Sequence, residues 1–170
     1  MLNKRQKRIM AVGVVIGVII GAVIIVSLDR SRMIDLEEAI ETQYIANQSN
    51  YETMVKIARE SAQVTDIYEK DFNKIYKDLI EGRNQDENLL FKVINESNPN
   101  LDSSIYTTIQ RKLSINRKIF NNNEKELVDR IIEYNSFVEK RYVTSKILNK
   151  VKKDASKYII RESFISEVDK

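Results

Sequence analysis

From residue 9 to residue 28 the chain reads IMAVGVVIGVIIGAVIIVSL, with no charged side chain and no polar face. Thirteen of these 20 residues are Ile, Val or Leu. At 1.5 Å per residue, a helix of this length spans about 30 Å, the thickness of a bilayer hydrocarbon core. A helix packed on a soluble core would keep a polar stripe, so the pattern predicts a transmembrane helix over 9–28. The run is longer than the apolar part of a cleavable signal. It ends VSLDRS, without a small-x-small site, which favours an uncleaved anchor.

After Ile34 the apolar positions fall into steps of three and four. Ile40, Tyr44, Asn47, Tyr51, Met54, Ala58 and Ala62 form one stripe, close to a coiled-coil seam. No Gly or Pro lies between residues 22 and 81, so the membrane helix is expected to run on into this one as a rod. Thr65 and Asp66 open the next helix, with Glu69 completing a capping box. Ile67, Phe72, Ile75, Tyr76, Leu79 and Ile80 give its apolar face, and Gly82 its stop. The short run from Glu87 to Glu96 carries Leu89, Leu90, Val93 and Ile94, and Asn98-Pro99-Asn100 breaks it.

Asp102 or Ser103 starts the longest segment. Its stripe is Ile105, Ile109, Leu113, Asn116, Phe120, Asn123, Leu127, Ile131, Tyr134 and Val138. Helical spacing continues through Ile147, Val151, Ala155 and Tyr158, while the closing YIIRESFISEVD is open between helix, strand and frayed end. The whole pattern predicts an all-α protein: a single N-terminal transmembrane helix, then an antiparallel helical bundle of two long and two short helices. Its segments are a basic N-terminus (1–8), the membrane helix (9–28), the bundle (29–146) and a basic tail (147–170).

Charge orients this plan. Lys4, Arg5, Lys7 and Arg8 precede the span, and only Arg30 and Arg32 follow closely. The positive-inside rule places the N-terminus in the cytoplasm and the bundle beyond the membrane. Beyond those four bases the chain is nearly neutral, which argues against nucleic acid as a partner. Residues 29–139 hold 15 basic and 21 acidic residues, and residues 140–170 hold 9 and 4. The basic tail therefore either packs on its own acidic bundle or is drawn to anionic lipid or an acidic partner.

The chain has no His and no Cys, which removes thiolate and imidazole metal sites and His-dependent nucleophilic machinery. No cofactor and no enzymatic activity is expected. Glu37, Glu38 and Glu41, like Asp66, Glu69 and Asp71, read as solvated faces. Arg111, Lys112, Arg117 and Lys118 read as the wet side of the longest helix. Asn47, Asn116 and Asn123 interrupt apolar stripes. They either pair with each other or with backbone and fix register, or form a polar site for a ligand or peptide. Gly13, Gly17 and Gly21 share one face of the membrane helix, a double G-x-x-x-G that favours close helix pairing and a homodimer.

The segment IYTTIQRKLSINRKIFNNNEKELVDRIIEYNSFV, residues 105–138, resembles the C-terminal helix of the LemA family. Ile109, Arg117, Asn123, the dipeptide Tyr134-Asn135 and Val138 carry the likeness. NYETMVKIARESAQVTDIYEKDF, ESNPNLDSSIY and YVTSK look like the LemA-like membrane proteins encoded by bacteriophages. The resemblance implies an N-terminal membrane helix, a small helical bundle and no established catalytic activity. The family is often described with its N-terminus outside, opposite to the orientation that the charges favour. The expectation is a membrane-anchored LemA-like bundle in a bacterial cytoplasmic (inner) membrane. Its partners would be the lipid bilayer, a second copy, and an envelope or phage protein. The alternative is a phage-encoded regulator of lysis or superinfection that acts on a membrane protein.

Overall fold

A single helix, α1 (Lys4–Ser61), carries both the apolar run and the first stripe without a break. The computed structural model describes residues 3–159. Among them follow α2 (Glu69–Glu81), α3 (Glu87–Ser97), α4 (Ser103–Lys140) and α5 (Tyr142–Ile147). Single 3-10 turns stand at Asp66–Tyr68 and Ala155–Lys157, and no strand occurs among the described residues. Most of the closing stretch, residues 160–170, lies outside the described residues.

The long helices bury a set of positions that differs from the expected seam. On α1 these are Asp29, Met33, Leu36, Ile40, Asn47, Tyr51, Val55 and Ala58, with Ala62 buried just past its end and Tyr44 half-buried. The set repeats every 11 residues, as Asp29, Ile40, Tyr51 and Ala62 show. Eleven residues make three turns with only about 20° left over, so one stripe stays on one side of a long helix. A seven-residue seam would have buried Met54. Val55 is buried instead, Met54 is half-buried, and Ile34 is exposed. On α4 the same period links Ile109, Phe120 and Ile131, and Leu113 with Glu124. Glu124, not Asn123, therefore takes the buried position there.

Two units emerge from the contacts. Among the described residues, one comprises the chain up to Ala39 with Ile132–Lys153, the other Ile40–Ile131 with the chain from Asp154 on. In the second unit Val55, Phe72, Tyr76, Leu79, Leu90, Ile94, Ile109 and Leu113 belong to one core. Full burial of each such side chain contributes roughly 1.5–3 kcal/mol. Phe72 and Tyr76 stack with ring centroids 5.5 Å apart, and Tyr51 meets Phe120 at 5.5 Å.

The ends of α2 and α3 follow local rules with one exception. Gly82 takes φ 75°, a left-handed conformation that only glycine adopts cheaply, and its N–H reaches the Leu79 carbonyl. Asp86 accepts from the Asn88 N–H at 2.9 Å and caps α3. The capping box at Asp66 does not form. The chain leaves α1 through Gln63 at φ 53°, Thr65 turns to Ser97, and Glu69 pairs with Arg59. Ile67, expected on the apolar face, is consequently 87% exposed on the 3-10 turn.

Helical structure in the first unit also stops earlier than the spacing suggests. α5 ends at Ile147, Asn149 takes φ 54°, and Ile147 and Val151 are exposed. Polar contacts of the residues after α5 account for this.

Candidate functional site

Among the described residues, α1 is the one helix long and apolar enough to cross a membrane. Its run 9–28 is uncovered: Ile16 is 51% exposed and Val18 67%, and its other large apolar side chains except Val26 lie between these values. An ideal Cβ at Gly13, Gly17 or Gly21 would meet nothing within 4 Å. Lys4, Arg5, Lys7 and Arg8 are exposed on the first turns of α1.

Immediately after the run, the first unit gathers a polar cluster from three stretches of sequence. Glu37 of α1 accepts from Tyr134 Oη at 2.9 Å and is paired with Lys150. Lys153 Nζ stands 4.0 Å from the same carboxylate and 5.9 Å from the Tyr134 ring centroid. Partial burial pushes the Glu37 carboxyl upward. The Lys150 and Tyr134 hydrogen bonds and the two lysine charges outweigh it and hold the group below its usual range. Asn135 grips the Lys153 peptide at two points. Its Nδ2 donates to the Lys153 carbonyl at 3.2 Å, and its Oδ1 accepts from the Lys153 N–H at 2.7 Å.

The Tyr134-Asn135 dipeptide thus fastens the chain after α5, with Lys152 adding a 3.0 Å pair to Glu139. These bonds replace the helical ones, which is why the helix does not continue through Val151. They also place the first bases of the basic tail on acids of the same unit. Glu37, expected on a solvated face, is a half-buried partner of three groups.

In the second unit the asparagines part company. Asn47, 5% exposed, donates through Nδ2 to the Asn123 carbonyl at 2.9 Å and accepts from Gln43 Nε2 at 2.9 Å. Asn47 and Asn123 are therefore brought together, through the backbone of the latter. Asn116 lies elsewhere, donating to Tyr76 Oη at 3.0 Å. Burial pushes the Tyr76 hydroxyl up to about 12, against the Asn116 hydrogen bond and the Arg117 charge. Asn116 also lines a groove of about 280 Å³ with Met54, Ile57 and Ile119.

Arg117 corrects another expectation. It is not on the wet side of α4. Its Nε donates to the Leu79 carbonyl at 2.8 Å and its guanidinium to Glu87 Oε1 at 3.0 Å. It joins the end of α2 to the start of α3, giving the Leu79 carbonyl a second donor beside the Gly82 N–H. Tyr51 and Glu81 form a buried pair that sequence reasoning missed. The Glu81 carboxylate accepts the Tyr51 hydroxyl and also meets Arg83. Burial first, then the Glu81 hydrogen bond and charge, keep the Tyr51 phenol protonated far above its ordinary value. The signal that would have found Asp29, Glu81 and Glu124 is their place at helical spacing among apolar neighbours, the same signal that singled out Asn47.

No group of three or more acidic, His or Cys side chains that could hold a metal occurs among the described residues. Compared with family models, with curated proteins and with solved structures, the chain matches none.

Proposed function

We propose that this is a single-pass membrane protein whose residues 9–28 cross a bacterial cytoplasmic membrane, N-terminus in the cytoplasm. In this reading α1 to α5 beyond the span form an antiparallel, LemA-like bundle outside the cytoplasm. It acts by binding other envelope proteins rather than by catalysis. The observation that carries it is the run 9–28, uncharged for 20 residues and uncovered by the rest of the chain. In water such a surface would be costly; in a bilayer it is matched.

Pairings within each unit support the antiparallel order. In the second unit Asn47 meets Asn123 and Tyr51 meets Phe120; in the first, Asp29 meets Arg141 and Glu37 meets Tyr134. Higher numbers on α1 pair with lower numbers on α4, or on Arg141 just past its end, in both. Arg117, Tyr134 and Asn135, the positions behind the family likeness, all act as fasteners between segments, which fits a binding scaffold. Gly13, Gly17 and Gly21 would allow a second copy to approach in the membrane.

The test is extraction. The chain should sediment with membranes, resist high salt and alkaline carbonate, and dissolve only in detergent. Release by carbonate without detergent would contradict the anchor.

A further inference from the structure

Asp29 is the first residue after the apolar run and is 5% exposed. Its carboxylate accepts from Thr144 Oγ1 at 2.8 Å and lies 3.4 Å from Arg141 Nε. These contacts tie the corner between α4 and α5 to the last turn of the run. A groove of about 270 Å³ follows that junction, walled by Ile25 and Asp29 on one side and by Lys140, Arg141 and Val143 on the other. Ile25 lies inside the run, so the groove sits where the apolar surface ends.

The outward face of α5 is unusual for a short helix in water. Tyr142, Val143 and Ile147 are 60%, 69% and 64% exposed. Lys146 Nζ stands 4.8 Å from the Tyr142 ring centroid. At about 100° per residue, these four side chains share an arc of about 140°. Ser145 points the other way and is buried, donating to the Val138 carbonyl at 2.9 Å. Tyrosine favours the headgroup level of a bilayer, and lysine lays its stem on apolar surface while its amine reaches polar groups.

We propose that the α4–α5 corner is a lipid-binding element seated in the headgroup layer beside α1. Tyr142, Val143 and Ile147 meet the acyl boundary, and Lys140, Arg141 and Lys146 meet anionic phospholipid headgroups. The proposal rests on the membrane-anchor reading above. Two observations select the bilayer as the occupant: the corner is bonded to the end of the apolar run, and its residues 140–147 carry three bases and no acid. Asp29 sets the depth of the corner, so the chain grips the membrane at two places.

The chain has no Trp, so single tryptophans are clean probes. Full-length Y142W, V143W, I19W and I67W would be reconstituted in vesicles of phosphatidylcholine and phosphatidylglycerol carrying a shallow or a deep quencher. The expected result is blue-shifted emission from Y142W and V143W, quenched more by the shallow label. I19W should be quenched more by the deep label, and I67W by neither. Quenching of I19W with Y142W and V143W behaving like I67W would overturn the proposal and leave the anchor standing. Failure to quench any of the four would overturn both. Omitting phosphatidylglycerol should lower quenching at Y142W and leave I19W unchanged; equal quenching at Y142W would overturn the anionic-headgroup contact.

Discussion

Tyr134 of α4 offers its phenolic proton to Glu37 of α1 across 2.9 Å, and Lys150 closes on the other oxygen of the same carboxylate. Because these partners hold the Glu37 carboxyl below its ordinary value, the group stabilises the fold in its ionised form. The contribution is present above the unfolded carboxylate pKa and is lost as pH falls through the folded value. Glu37→Gln should therefore lower stability by roughly 1–2 kcal/mol at neutral pH, the range for a half-buried charged hydrogen bond. The gap between the two proteins should shrink as pH drops below about 4. Thermal melts of the detergent-solubilised chain across pH check this; a gap independent of pH would contradict it.

Arg117 serves two groups at once, the Leu79 carbonyl and Glu87. Arg117→Ala should cost about 2 kcal/mol, since charged hydrogen bonds to a half-buried site are lost. Arg117→Lys should recover only part of this, because an ammonium lacks the fork that reaches both acceptors. Urea midpoints of the three proteins measure the order.

Gly82 holds φ 75° at the end of α2. Gly82→Ala should destabilise by about 1 kcal/mol, and Gly82→Asn by less, because Asn tolerates the left-handed region. The same melts distinguish them.

Gly17 has open space around it. If the glycine face pairs two copies, Gly17→Ile should shift the chain toward monomer in sedimentation equilibrium in detergent micelles, because a branched side chain keeps the backbones apart. Unchanged mass would show that the face does not pair copies.

Much of the helix plan could be read from the chain because its signals are local. The uncharged run, the unbroken stretch to residue 61, Gly82, Pro99 and Asp102 each act within a turn of themselves. Asp102, for example, caps α4 by accepting from the Ser104 N–H at 2.7 Å. What escaped depends on partners distant in sequence. Arg117 reads as a surface base until α2 and α3 place acceptors before it. Lys150 and Lys153 look like a continuing helix until Glu37 and Asn135 draw them off. Ile67 looks apolar and buried until Gln63 turns the chain. The eleven-residue period was hidden because Met54 and Val55 both suit a stripe, and only packing chose between them.

Orientation is the claim on which the functional reading turns. The chain has no native Cys, and Ser103 is exposed at the start of α4, so Ser103→Cys gives one reporter on the proposed bundle. Intact cells, or spheroplasts where an outer membrane blocks access, would be treated with a membrane-impermeant thiol reagent. Labelling without lysis is the result predicted for a cytoplasmic N-terminus and an external bundle. Labelling only after lysis would contradict it and place the bundle in the cytoplasm.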